Sequence, residues 1–233
     1  MSARQTSNWI SLSDMMTGLM LVFLLIAIIT ISQVSERESK RTELITEFEN
    51  TRLEIYEELE KSFGDKRSEW GIEISEDLTI KFENPDVLFG YLSSNITPSF
   101  REILNEFIPS YLDIVNSDKY SEKIKEVRIE GHTADWSDYL FTIKLSQERS
   151  NAVLAYIFSS DYFSSLPSEN KEKIKFWFTS NGLGNGRTLD SEGEFTFESK
   201  GDVDVKSRRV EFRIVTNSQE LVEQIIDNLK NNN

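Results

Sequence analysis

The chain has 233 residues, a formal net charge of −14, one histidine and no cysteine. This length allows one ordinary domain with accessory segments. The absence of cysteine excludes disulfides and cysteine-ligated zinc, and a lone histidine cannot build a zinc site, so we expect no metal. The acidity argues against a nucleic-acid partner, because phosphate contacts need clustered Lys and Arg side chains.

Residues 9–32, WISLSDMMTGLMLVFLLIAIITIS, are predicted to form a transmembrane helix. The stretch from Trp9 to Ile31 gives roughly 34 Å of helix at about 1.5 Å per residue, enough to cross a hydrocarbon core of about 30 Å. A cleavable signal peptide is the alternative, but its basic region would be Arg4 alone and its apolar run contains Asp14. We therefore expect an uncleaved anchor that follows a short terminus at 1–8, whose orientation the scattered charges do not fix.

Residues 33–64 are predicted to form a linker helix, because the segment lacks proline and contains glycine only at its end. Apolar residues follow a spacing of three and four at Ile45, Phe48, Ile55 and Leu59, with Arg52 interrupting the pattern. Two interpretations fit this pattern. The segment is either a solvated linker helix or one of the two helices of a dimeric coiled coil next to the membrane.

Residues 70–217 are predicted to form a two-layer α/β sandwich, in which strands alternate with helices. The predicted strands are 71–74, 78–82, 126–131, a stretch from 174 into a glycine-rich turn, and 208–215. One predicted helix opens at Pro98, and another is capped by Ser146 and runs to about Ser159. Residues 188–206 are expected to form a long loop or irregular hairpin, and 218–233 a terminal helix and tail.

Four motifs in this region together resemble the OmpA-like peptidoglycan-binding domain over about residues 72–216. They are Gly131-His132-Thr133 at a strand end, Leu145-Ser146 followed by Arg149 and Val153, Gly182 with Gly184, and Arg208-Arg209-Val210-Glu211. The resemblance implies that the domain binds the peptide stem of peptidoglycan. It also assigns His132 a structural hydrogen bond rather than a catalytic role.

The same resemblance implies which residues bind peptidoglycan. The family uses an Asp after Gly-His-Thr together with a helix Arg to hold diaminopimelate. Arg149 matches the Arg, whose guanidinium suits a free carboxylate, although it could also be a surface helix arginine. Spacing back from Leu145 puts the family Asp at Ala134, so either Asp135 substitutes for it or the carboxylate is missing. The implied site consists of Arg149, Leu145, Phe141, Thr142, Asp135 and Thr133.

The N-terminal helix resembles that of MotB-like subunits of ion-driven stators, which begins with Trp, then Asp five residues later, then small and apolar residues. Trp9, Asp14, Thr17 and Gly18 match this pattern. A carboxylate in a membrane helix is costly unless it is paired, hydrated or neutralised, which makes Asp14 a functional candidate. Ser13 and Thr17 are expected to assist Asp14 in moving H⁺ or Na⁺. The alternative is that Asp14 is a cap-like residue at the membrane rim.

Within this group, the chain is most similar to the MotB-like subunit of Zorya anti-phage defence systems. The similarity lies in the departure from Gly-His-Thr-Asp, the short chain and the direct helical linker. This resemblance implies a non-enzymatic inner-membrane protein without a bound cofactor, with its N-terminus cytoplasmic and its C-terminal domain periplasmic. It further implies five MotA-like subunits around a homodimer of this chain. The alternatives are a flagellar or gliding-type stator subunit, or a static OmpA-like envelope tether.

Overall fold

A computed structural model of the chain describes residues 3–134 and 138–217, with residues 3–14 and 44 described by their backbone alone. The chain divides between Phe48 and Glu49 into two compact units. Helix α1 runs from Ala3 to Phe63. Its N-terminal part is long and apolar enough to cross a membrane, and the side chains of residues 15–40 are all exposed. An apolar surface of this kind is what a lipid-facing helix presents.

The last turns of α1 belong to the second unit. Ile55, Leu59 and Phe63 are buried in its core, and the Phe63 ring lies 4.9 Å from that of Phe107. The segment is helical, as the pattern in 33–64 predicts. However, Ile55 and Leu59 pack against their own domain, so these two positions do not face a second copy in a coiled coil. The compact unit therefore begins at Glu49 rather than at residue 70.

The remaining elements of the described chain follow in order. The helices are α2 (Arg67–Trp70), α3 (Pro85–Leu88), α4 (Pro98–Asn116), α5 (Tyr139–Ser159), α6 (Asp161–Ser165), α7 (Ser168–Trp177) and α8 (Thr196–Ser199). The strands are β1 (Ile72–Ser75), β2 (Thr79–Phe82), β3 (Ile124–Gly131), β4 (Phe178–Gly182) and β5 (Val210–Thr216).

The strands form one sheet in the order β1-β2-β5-β3-β4. The β3–β4 pair is parallel and the other pairs are antiparallel. Phe107 of α4 packs edge-on against Phe82 of β2 and Phe212 of β5, at ring distances of 5.3 and 4.9 Å. This sheet with a helical layer on one face confirms the predicted α/β sandwich.

Strand ends shift by one or two residues from the prediction, and two elements differ more. Helix α5 begins at Tyr139, because the Asp138 carboxylate accepts hydrogen bonds from the main-chain N–H groups of Leu140 and Phe141. Ser146, predicted as the cap, is fully buried inside this helix. The residues from Ile174 to Trp177 end helix α7 instead of opening a strand. Ile174 and Trp177 are both buried, and short apolar runs do not distinguish a helix end from a strand.

The buried end of α1 leads to a prediction about stability. We expect Leu59→Ala to lower the free energy of unfolding by about 3 kcal/mol, because it leaves a cavity in the core. Leu53→Ala on the same helix is the matched control, since Leu53 is 53% exposed. Thermal unfolding of the full chain in detergent measures both. Equal small effects would show that this part of α1 is a solvated linker.

Candidate functional site

Two glycines allow α5 to approach the ends of the parallel strands closely. A Cβ atom at Gly131 would lie 2.3 Å from the Ser146 carbonyl oxygen, and one at Gly182 would lie 2.4 Å from the Gln147 nitrogen. Side chains reinforce the contact, since the Gln147 Oε1 accepts from the Gly182 N–H at 2.8 Å. The close approach places the middle of α5 beside the residues that follow β3.

A cavity of about 380 Å³ opens beside this contact. Of the predicted peptidoglycan-binding residues, Thr133, Leu145 and Arg149 line it. The other lining residues come from the 85–92 segment, from residues 132 and 134, and from the chain leading into β5. They are Pro85, Asp86, Leu88, Phe89, Gly90, Tyr91, Leu92, His132, Ala134, Val203, Asp204, Val205, Arg208 and Arg209.

Arg149 is built into the wall of this cavity. It is only 9% exposed, and its Nε donates to the Ser93 carbonyl oxygen at 2.9 Å. The guanidinium carbon lies 5.1 Å from the centre of the Phe89 ring, within the range of a cation–π contact. Arg149 is therefore not an exposed surface arginine, and its guanidinium is held in one orientation at the cavity wall.

The remaining predicted site residues occupy different positions. Thr133 is buried at the cavity, and its Oγ1 has no hydrogen-bond partner among the described residues. Thr142 is fully buried and donates to the Tyr139 carbonyl at 2.8 Å, so it supports the helix start instead of reaching a ligand. Phe141 is 43% exposed and lies outside the cavity lining. Asp135 lies outside the described residues.

His132 lies at the inner end of the cavity in a buried charged cluster. Its Nε2 is 3.6 Å from Glu211 Oε1 and 4.0 Å from Glu130 Oε2. Neither ring nitrogen forms a hydrogen bond within the described part of the chain; the main-chain N–H of His132 donates to the Arg209 carbonyl instead. Among the described residues, the His132 ring therefore does not make the structural hydrogen bond that the sequence predicts.

The side chains of Glu130, His132 and Glu211 could together offer ligands to a cation. However, Arg209 Nε already donates to Glu211 Oε1 at 2.6 Å, and Arg213 Nη2 lies 3.4 Å from Glu211 Oε2. A cation would have to compete with both guanidinium groups in a buried setting. The arrangement is better suited to an internal ion-pair network than to a metal site.

Burial controls the protonation states in this cluster. It lowers the pKa of His132 to about 3, and the positive charge of Arg209 adds to the effect. Burial, together with the negative charge of Glu211, raises the pKa of Glu130. Burial opposes ionisation of Glu211 as well, but the surrounding cations outweigh it and hold its pKa at about 2. His132 is therefore neutral in the folded protein at neutral pH.

The neutral His132 leads to a pH-dependent prediction. The unfolded chain protonates this residue near pH 6.5 and the folded chain does not, so acid favours unfolding. We expect His132 to remove about 1.4 kcal/mol from the free energy of unfolding between pH 7.5 and 5.5. The raised pKa of Glu130 has the opposite effect, because protonation of this residue favours the folded protein. The lowered pKa of Glu211 reduces the free energy of unfolding mainly at pH values below this interval.

The matched variant is His132→Gln, which keeps Glu130 and Glu211 in place. Denaturant titrations of both full-length proteins in detergent at several pH values measure the effect. The stability of the variant should depend less on pH than that of the wild type by about 1.4 kcal/mol over the same interval. Identical pH dependence in the two proteins would contradict the assignment of a neutral buried His132.

The segment around Phe89 forms a wall of the cavity that the sequence did not predict. Phe89 contacts the guanidinium of Arg149. The carbonyl of Ser93 accepts a hydrogen bond from Arg149, although the two residues are 56 positions apart in the chain. The sequence signal for this segment is the stretch NPDVLFGYLSSNITPSFREIL at residues 84–104, which resembles the strand-to-helix lead-in of the OmpA-like family but does not indicate a contact with Arg149. Arg208 also lines the cavity, and its motif predicts the family but no binding role for this residue.

The predicted ion-translocating residues lie together on α1. Ser13, Asp14 and Thr17 fall within five consecutive residues of this helix, just over one turn. Asp14 and Thr17 are three residues apart and therefore lie on the same side of the helix. The side chains of Ser13 and Asp14 lie outside the described part of the structure.

Comparison with known proteins gives the following relationships. No family model matches the chain. It is 36% identical to the Zorya protein ZorB of Escherichia coli strain Crooks over 233 residues, covering 96% of this chain and 94% of that protein. A second Zorya protein ZorB, from E. coli O139:H28, is 23% identical and covers 88% and 79% of the two chains. Among solved structures, a putative MotB-like protein from Desulfovibrio vulgaris is similar at a TM-score of 0.45 and 19% identity, covering 73% and 94%.

Proposed function

Because the chain belongs to the family of the Zorya protein ZorB, we propose that it is the wall-anchored stator subunit of an ion-driven motor in the inner membrane. Its second unit binds peptidoglycan in the periplasm, and its N-terminal helix crosses the membrane with the N-terminus in the cytoplasm. The family membership and the long apolar helix support this single-pass arrangement.

The observation that carries the proposal is the buried Arg149 at the wall of an open cavity. A guanidinium that is fixed by Ser93 and Phe89 presents a planar charge, which suits a carboxylate of the peptide stem. Thr133 adds a buried hydroxyl to the same cavity, and Leu145 adds an apolar wall. Either Asp135 takes the place of the family Asp in this site, or the stem is bound without that carboxylate.

Asp14 is the residue that we propose to carry the ion. It lies in the apolar part of α1, where a carboxylate is retained only if it is used or compensated. Thr17, on the same side of the helix, and Ser13 next to it offer hydroxyl groups that can bind a hydrated ion. The transported ion is H⁺ or Na⁺, and the motor requires no bound cofactor.

The partners that we propose are five MotA-like subunits around a homodimer of this chain. Ion flow past Asp14 would rotate this assembly, and rotation would signal the presence of phage at the envelope. Membership in the Zorya ZorB family favours defence over a flagellar or gliding-type motor. A static tether is the alternative from another class, since it would need the cavity but not Asp14.

The test is co-expression of the full chain with the MotA-like subunit encoded next to it. The two proteins should co-purify in detergent at about five to two, and the complex should sediment with purified sacculi. Expression of both proteins together with the cytoplasmic effectors that receive their signal should lower phage plating without affecting swimming. Sedimentation without co-purification would favour the static tether, and a swimming phenotype would favour a flagellar motor.

A further inference from the structure

A strained turn forms the outer wall of the Arg149 cavity. The Ser93 N–H donates to the Gly90 carbonyl at 3.1 Å, and the turn is closed by a bridge between Phe89 and Ile96. Leu92 occupies the third position of this turn with φ of +49°. Glycine or asparagine is usual at such a position, because the left-handed region is unfavourable for a larger side chain.

Burial of apolar surface does not compensate for this strain. Tyr91 is 86% exposed and Leu92 is 43% exposed, although both line the cavity. Strained backbone and exposed apolar side chains next to a cavity are typical of a ligand-binding segment. The chain thus places two large apolar groups at the cavity mouth at a cost to its own stability.

The turn also has a fixed position relative to Arg149. The residue after Leu92 is Ser93, whose carbonyl accepts the hydrogen bond from Arg149 Nε. The Phe89 ring before the turn contacts the same guanidinium. Tyr91 and Leu92 lie between these two contact residues in the chain and line the same cavity as Arg149.

We propose that Tyr91 and Leu92 form a second subsite, which binds a sugar ring of the glycan strand while Arg149 binds the peptide stem. This inference rests on the proposed function and identifies the residues that recognise the saccharide part. An exposed tyrosine ring offers a flat apolar face for the C–H groups of a pyranose and a hydroxyl for hydrogen bonding. Peptidoglycan covalently joins a saccharide to a carboxylate-bearing peptide, which matches an aromatic face and a buried guanidinium at one cavity.

Two ligands separate the subsites: a disaccharide–peptide muropeptide and the free stem peptide of the same sequence. We expect Tyr91→Ala in the full chain in detergent to weaken muropeptide binding at least tenfold and leave peptide binding unchanged in calorimetric titrations. Tyr91→Phe keeps the ring and should bind the muropeptide within about threefold of the wild type. Unchanged binding of both ligands, or equal losses for both, would overturn the assignment to the sugar.

Leu92→Gly separates a ligand-binding role from a structural one. Glycine relieves the strain at φ of +49°, so the thermal midpoint should rise or stay the same, while muropeptide affinity should fall. Full affinity in this variant would overturn the role of Leu92. Failure of the wild type to bind either ligand would instead overturn the proposed peptidoglycan binding itself. If Tyr91→Ala weakens muropeptide binding and Arg149→Ala does not, only the role of Arg149 is overturned.

Discussion

Asp14→Asn is expected to abolish motor function while leaving the protein expressed and bound to peptidoglycan. Asparagine has nearly the same shape as aspartate, but it carries no charge and cannot take up and release a proton. Each elementary charge that crosses 100 mV releases about 2.3 kcal/mol, and this driving energy would no longer be coupled to movement. Phage plating should return to the level of cells without the system.

The matched control is Asp14→Glu, which keeps the carboxylate on a longer side chain and should retain part of the activity. Thr17→Ala and Ser13→Ala should reduce activity less than Asp14→Asn, because the proposal gives their hydroxyls only a supporting role. Membrane fractionation and sacculus sedimentation establish that each variant is inserted and able to bind the wall. Full phage protection by Asp14→Asn would show that Asp14 carries no ion.

Arg149 was predicted from the family resemblance of the motif that begins at Leu145, and helical spacing adds which side of the helix it shares. Leu145 and Arg149 are four residues apart and therefore share one side of α5, whatever residue begins the helix. The wall that faces them was not predictable. The contact of Arg149 with Ser93 joins residues 56 positions apart, and local periodicity carries no information about such a pairing.

The last turns of α1 show why periodicity does not identify a partner. The spacing of Ile55 and Leu59 predicts an apolar stripe, and the structure has that stripe. Burial of an apolar stripe stabilises the protein equally whether a second copy or its own domain covers the stripe. The Phe63 ring against Phe107 shows that its own domain is the partner here.

Polar residues inside α5 gave the least reliable sequence signals. Ser146 resembles a helix cap in the sequence, yet its hydroxyl donates to the Ile143 carbonyl and accepts from the Gly184 N–H at 2.9 Å. Serine favours a cap because its hydroxyl bonds nearby backbone, and inside a helix the same hydroxyl can bond another element. Thr142 likewise supports the helix start from a buried position.

Arg149→Ala is expected to weaken binding to isolated sacculi by about a hundredfold. In the proposed complex, the Arg149 guanidinium and the stem carboxylate form a buried, hydrogen-bonded charge pair. Removing one partner of such a pair costs about 2–5 kcal/mol, a range that includes a hundredfold change in affinity. Arg149→Lys keeps the charge but loses the planar fork and the contact with Phe89, so binding should be intermediate. Lys144→Ala is the control on the same helix, because the Lys144 side chain is 77% exposed.

Thr133→Val tests the same cavity without removing a buried charge. Valine has nearly the same shape as threonine and no hydroxyl, so it removes a buried oxygen that has no hydrogen-bond partner within the described chain. The free energy of unfolding should therefore stay the same or rise. We expect sacculus binding to fall by about tenfold, because the proposal has this hydroxyl contact the stem and a lost hydrogen bond is worth up to about 1.5 kcal/mol. Wild-type binding by both Arg149→Ala and Thr133→Val, with thermal midpoints unchanged, would place the peptidoglycan site elsewhere on the domain.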